Sequence, residues 1–175
     1  MAWTAPRTWT DGELVTASIM NTHVRDNELA LGPHLVVRKT ADESVTSSTV
    51  MQADDVLTMA IAANEIWKVE FALIVDAGPG GMDVRWTFPT SGYLSISASA
   101  PSNSGAAPVM TGTSPTVDNA LGVESAGDRK AFIWSGVFVN STNAGNLALE
   151  FAQTTSNATA CIMKANSTLW AVKLA

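Results

Sequence analysis

Cysteine, histidine and charge are all scarce in this chain, and each shortage removes a class of function. There is one cysteine, Cys161, so no intrachain disulfide can form. It sits in an apolar run, Ala158 to Met163, with no electropositive neighbour to lower its pKa, and it reads as a small buried hydrophobe rather than a nucleophile. The two histidines, His23 and His34, lie on either side of a helix stop with no cysteine near them, a poor arrangement for zinc. Charged residues make up 15% of the chain, against about 25% in an ordinary soluble domain. The net charge is −6, and only Arg38-Lys39 and Arg129-Lys130 place two basic residues side by side. A surface that neutralises phosphates needs clustered cations, so no nucleic-acid partner is expected.

Long apolar runs are missing as well. No stretch approaches the roughly 18 residues of a membrane span, so no membrane partner is expected. Met1 to Pro6 has neither a basic n-region nor an apolar core. The expectation is therefore synthesis in a cytoplasm without cleavable secretion. Catalytic constellations are equally thin. No G-x-S-x-G elbow occurs, and Gly78, Gly80 and Gly81 lead from one strand into another, which makes them a turn and not a phosphate cradle. Asp42-Glu43 and Asp54-Asp55 are adjacent pairs that point to opposite faces of a strand; they read as solvated strand-edge charges. Asp76, Asp118 and Asp128 offer loop oxygens to a calcium ion, but no EF-hand spacing joins them. The sequons at Asn140, Asn157 and Asn166 read as turns. No enzymatic activity, metal or cofactor is expected.

What is abundant is apolar surface. Apolar residues make up 46% of the chain, and six tryptophans are present, two of them in the first nine positions. A chain so rich in apolar groups and so poor in charge commonly hides surface against neighbours, as homo-oligomers do. Residues 1–15 read as an extended arm punctuated by Pro6 and Asp11-Gly12. Trp3 and Trp9 have nothing local to pack on, and they either fold back on their own domain or dock into a partner. Thr16 is an N-cap for a short helix that Leu31-Gly32-Pro33 ends. Ala17, Met20, Val24, Asn27 and Leu31 follow at spacings of 3, 4, 3 and 4. That is a coiled-coil type of seam with one polar position; the alternative is an amphipathic helix lying on its own sheet.

From Leu35 the period changes to two. Trp67, Val69, Phe71, Leu73 and Val75 alternate with Lys68, Glu70 and Ala72, which predicts a long strand with one buried face. Further strands are expected at 82–88, 93–97, 147–151, 160–163 and 169–174. Residues 99–128 should be loops with weak strands near Val109 and Val117. The segment 131–139 is apolar on both faces, with Phe132, Trp134 and Phe138 against Ile133, Val137 and Val139, so it is either a central strand or one covered by a subunit interface. About nine short strands with no helix between them predict a mainly β chain. The body is an antiparallel β-sandwich of jelly-roll-like type at 34–175, with arm and helix at 1–33.

The stretch from Arg7-Thr8-Trp9-Thr10-Asp11-Gly12-Glu13 through Val15-Thr16-Ala17 and Asn21 to Val24-Arg25-Asp26-Asn27 resembles the opening of a family of small structural proteins of tailed bacteriophages and prophages. Members open with TWT-x-GE-x-VTA-x-x-x-N-x-x-VRDN and continue into a β-rich body. The tail from Leu149 to Thr159, with Leu169 and Lys173, is similar to that family's closing hairpin. The resemblance covers both ends and not the middle. It implies a virion component made in the bacterial host cytoplasm and does not settle which part of the virion. The arm and seam helix agree with that implication: the expectation is a head-decoration, spike or tail-fibre subunit, homotrimeric, joined to other virion proteins through residues 1–33. The residues expected to anchor or oligomerise it are Trp3, Trp9, Ala17, Met20, Val24, Arg25, Asp26, Asn27 and Leu31. The competing expectation is a module binding a host-surface glycan or receptor through the 99–128 loops, with Tyr93, Trp86, Asn103 and Asp118.

Overall fold

The computed structural model describes residues 4–5, 7–30, 34–99, 109–112, 116–120 and 130–175. Its contacts divide the chain into Met1–His34 and Leu35–Ala175, against the 33/34 boundary expected from the sequence. The first unit holds a helix in three parts: α1 (Ala17–Met20), a π-helical turn (Asn21–Arg25) and α2 (Asp26–Ala30).

Among the described residues the second unit is built from twelve strands. β1 (His34–Arg38), β2 (Glu43–Val45), β4 (Ile66–Asp76), β6 (Tyr93–Ser99), β7 (Val109–Gly112), β9 (Lys130–Val139), β11 (Cys161–Met163) and β12 (Thr168–Lys173) form the larger sheet, with path β1-β12-β4-β9-β6-β7 and β11 joining β2 to β4. β3 (Gln52–Ile61), β10 (Gly145–Ala152), β5 (Asp83–Thr87) and β8 (Thr116–Ala120) form the smaller sheet in that order. The pairings form a regular nest. Among β1, β3, β4, β5, β8, β9, β10 and β12, the first pairs with the last, the second with the seventh, the third with the sixth and the fourth with the fifth. One long hairpin wound around a barrel gives this nesting, which is the jelly roll. β6 and β7 are an insertion that widens the larger sheet beyond β9.

The period-two pattern dictates the core. On β4 the odd-numbered residues Trp67 to Val75 are buried and their even-numbered neighbours, Asp76 apart, face outward. Against them stand Leu57, Met59 and Ile61 of β3, Val84 and Trp86 of β5, and Leu147, Leu149 and Phe151 of β10, all buried. Aromatic pairs bridge the two layers: Trp86 meets Trp134 at 4.8 Å and Phe71 at 5.8 Å between ring centroids, tilted geometries that the ring quadrupoles favour. Gly136 on β9 sits where β6 passes very close; a Cβ there would lie 2.0 Å from the Ser95 carbonyl oxygen. The weak strands expected near Val109 and Val117 are β7 and β8.

One expectation fails for one member of each acidic pair, while Asp42 and Asp55 are exposed. Asp54 and Glu43 are not solvated edge charges. Buried Lys39 and Asp54 form a triad with half-buried Glu43, the Lys39 Nζ donating to Asp54 Oδ2 at 2.6 Å and to Glu43 Oε2 at 2.7 Å. The other Asp54 oxygen accepts the Val56 and Leu57 N–H groups. Burial alone would lower the Lys39 pKa, but the hydrogen bonds and charges of the two carboxylates outweigh it and hold it above the ordinary value. The triad ties the chain beyond β1 to β2 and β3.

Candidate assembly surfaces

The residues that carry the family resemblance hold one another in place in the first unit. Glu13 closes a turn by donating its N–H to the Thr10 carbonyl at 3.2 Å. Gly12 within it has φ +77°, a left-handed conformation that glycine adopts without a Cβ penalty. The Glu13 carboxylate pairs with Arg7, and the Arg7 guanidinium lies 4.8 Å from the Trp9 ring centroid. Such a cation–π contact is worth about 0.5–1 kcal/mol at an exposed site. The indole is thereby held in place yet remains exposed.

The helix then starts as its sequence demands, with Thr16 Oγ1 accepting the Ile19 N–H at 3.3 Å. At the other end Asn27 is buried, and its amide grips the arm. Its Oδ1 accepts the Thr4 N–H and its Nδ2 donates to the Thr4 carbonyl, each at 2.9 Å. Both backbone groups of Thr4 are thus satisfied by one side chain, much as a neighbouring strand would satisfy them.

This placement corrects the seam. The 3-4 spacing puts Ala17, Met20, Val24 and Asn27 on one stripe only if the helix is uniformly α. The π turn, in which the Asp26 N–H bonds the Asn21 carbonyl, adds a residue to the turn and shifts the phase. Ala17, Met20 and Val24 are exposed, whereas Asn27 turns onto its own arm. Asn27 is therefore an internal clamp and not a register-setting seam residue. Arg25 and Asp26 pair with each other at 2.8 Å. Trp3 and Leu31 lie outside the described residues.

The sequence reading overlooked Leu14 and Val15. Leu14 is 79% exposed, and with Val15, Trp9, Met20 and Val24 it makes the first unit rich in unburied apolar groups. Both stand just before the N-cap, where apolar residues usually staple the first helical turn. That local role is what the sequence suggests for them, and their exposure is what the structure adds.

The expected ligand loops fare differently. Tyr93 is exposed at the start of β6. Trp86 is wholly buried between the sheets, so it is no part of a ligand platform. Asp118 lies on β8 opposite Arg85, not in a loop, and Asn103 and Asp128 fall outside the described residues. Among the described residues no three His, Cys, Asp or Glu side chains gather as a metal site. Cys161 is buried, and burial pushes its thiol up to about 11, leaving it neutral near pH 7. No helix among the described residues is long and apolar enough to cross a membrane.

No protein-family model and no curated protein matches the chain. Among solved structures, it is similar to a chain of infectious bursal disease virus Gt strain at 9% identity and TM-score 0.21, covering 81% of this chain and 40% of that one. A chain of the Gx strain gives 11% identity and TM-score 0.14, covering 81% and 42%. The chain therefore spans about two fifths of the length of either, and a likeness this slight bears on neither fold nor function.

Proposed function

We propose that this chain is a non-enzymatic structural subunit of a bacteriophage virion, a surface accessory protein attached to the particle through residues 1–33. The observation that carries the reading is the first unit itself. Arg7, Gly12, Glu13 and Asn27 spend their interactions on holding a short arm in shape, while Trp9, Leu14, Val15, Met20 and Val24 stay in solvent. A pre-shaped apolar element loses little conformational entropy on docking, which favours a binding role over a packing one. The residues that shape it are those of the phage-family resemblance. The exposed Met20–Val24 stripe is the proposed contact for the homotrimer. The jelly roll is compatible with this role, since viral capsid and lectin domains both use it, but a fold does not choose between them.

The test is incorporation. Phage particles propagated with Trp9→Ala, Leu14→Asp or Val24→Asp chains should lose the subunit, as read by mass spectrometry of purified virions. Unchanged copy number for all three variants refutes attachment through this unit. A glycan-binding module remains as a second reading on Tyr93 alone. It requires retained glycan binding in the same variants and loss of binding in Tyr93→Ala.

A further inference from the structure

The outer faces of the two sheets differ in a way that the particle reading does not require. On the smaller sheet the outward residues of β5 are polar, Asp83, Arg85 and Thr87, and Arg85 Nε donates to Glu150 Oε2 of β10 at 2.7 Å. On the larger sheet, pairing places Tyr93, Val139 and Ile66 in one outward row, and Ser95, Val137, Lys68 and Val172 in the next. Ser135, Glu70 and Trp170 follow, and then Ile133, Ala72 and Thr168. Ile133, Val137 and Val139 are 44%, 37% and 39% exposed, although β9 is a central strand. Its central position accounts for one apolar face and leaves the other without a reason.

Lys68 and Glu70 on β4 are the informative pair. Elsewhere in the sandwich Lys39, Arg85, Lys164 and Lys173 are in ion pairs and Arg38 donates to Asn166. Lys68 and Glu70 enter no ion pair among the described residues, although they stand two residues apart on the same face of β4. A cation and an anion two residues apart, beside Val137 and Val172 on one row and Ser135 and Trp170 on the next, form a self-complementary pattern.

We infer that a second copy of this chain packs on the outer face of the larger sheet about a two-fold axis that runs across the strands at the level of Val69. That operation lays β4 antiparallel on its counterpart and brings each Lys68 opposite Glu70 of the other copy, twice per contact. It also brings Ile133 opposite Val139. A three-fold axis along the strands does the reverse, holding Lys68 level with Lys68. β9, with ten residues, spans about 30 Å, and the four strands β12, β4, β9 and β6 span about 19 Å. The projected face is roughly 600 Å², and protruding side chains raise it toward the roughly 800 Å² per partner of a standard interface. This contact is independent of attachment to a particle and should form in solution.

The experiment is the mass of the full-length chain by sedimentation equilibrium, with Lys68→Glu, Glu70→Lys and the double exchange. Wild type should contain an even number of chains, two or, where the helix stripe also joins three, six. Each single reversal sets like charges opposite each other and should weaken the two-fold association about 100-fold or more, halving the mass at micromolar concentration. The double exchange restores opposite pairs and should restore the mass. Near-ultraviolet circular dichroism should match wild type in all four, because both side chains lie on the outer face. A wild-type chain that stays single, an odd oligomer, or a mass indifferent to either reversal overturns the inference. So does a double exchange that remains dissociated.

Discussion

Replacing Asn27 by alanine should release the arm while leaving the sandwich intact. The amide makes two hydrogen bonds of 2.9 Å to the backbone of Thr4, and each is worth about 1 kcal/mol net. The loss is then about 2 kcal/mol, which raises the detached population of the arm roughly 30-fold. Asn27→Asp is the graded control. It keeps an acceptor for the Thr4 N–H but replaces the donor to the Thr4 carbonyl with a negative oxygen, so it should cost at least the one bond. Amide exchange by nuclear magnetic resonance reads the effect directly, because the Thr4 N–H is protected only while the clamp is closed. The expected result is a Thr4 exchange rate about 30-fold faster in Asn27→Ala, with the β4 and β9 amides unchanged. If Thr4 exchanges at the same rate in both, Asn27 is not what holds the arm, and the account of the first unit is wrong.

Three further outcomes follow from the sandwich. Asp54→Ala strands the buried Lys39 ammonium with Glu43 alone and leaves the Val56 and Leu57 N–H groups without their acceptor; removing one partner of such a pair costs about 3–5 kcal/mol, measurable by urea unfolding, and a loss under 1 kcal/mol would contradict the triad. Gly136→Ala places a methyl group against β6 backbone, 2.7 Å from the Ile96 Cα, and should cost at least about 3 kcal/mol; a variant of wild-type stability would mean that β6 and β9 can separate without penalty. The third concerns acid. Burial would raise the Glu65 pKa, but Lys173, the Ala62 N–H and the Trp67 indole outweigh it and hold it below the ordinary 4.5. A depressed carboxylate adds stability above its unfolded value and loses it as pH falls through the lower folded one. Glu65→Gln should therefore flatten the stability loss below pH 4.5, and an unchanged acid limb would show that Glu65 contributes none of it.

What could be read from the sequence divides along physical lines. Alternation on β4, β5 and β10 exposes the core directly, because a strand repeats every two residues whatever it pairs with. The nesting of eight strands into a jelly roll is invisible there, since it depends on which strand each one finds across the molecule. Asp54 fails for a related reason. Two adjacent carboxylates look like edge charges until Lys39, fifteen residues away in sequence, arrives to neutralise one of them. Asn27 leaves the helix stripe through a single residue of backbone geometry, the π turn, that no spacing rule anticipates.

The β9 segment is the case where the sequence posed the right question and the fold answered half of it. Apolar on both faces, 131–139 had to be either central or covered by another subunit. It is central, between β4 and β6, which satisfies both edges and the inner face. Being central does nothing for Ile133, Val137 and Val139, because strand neighbours cover edges and only another layer covers a face. Lys68 and Glu70, which enter no ion pair among the described residues, lie on this same layer. An outer face meant only for water has no use for three exposed β-branched side chains on one strand. A face meant for a copy of itself needs those side chains together with one charge of each sign, set two residues apart.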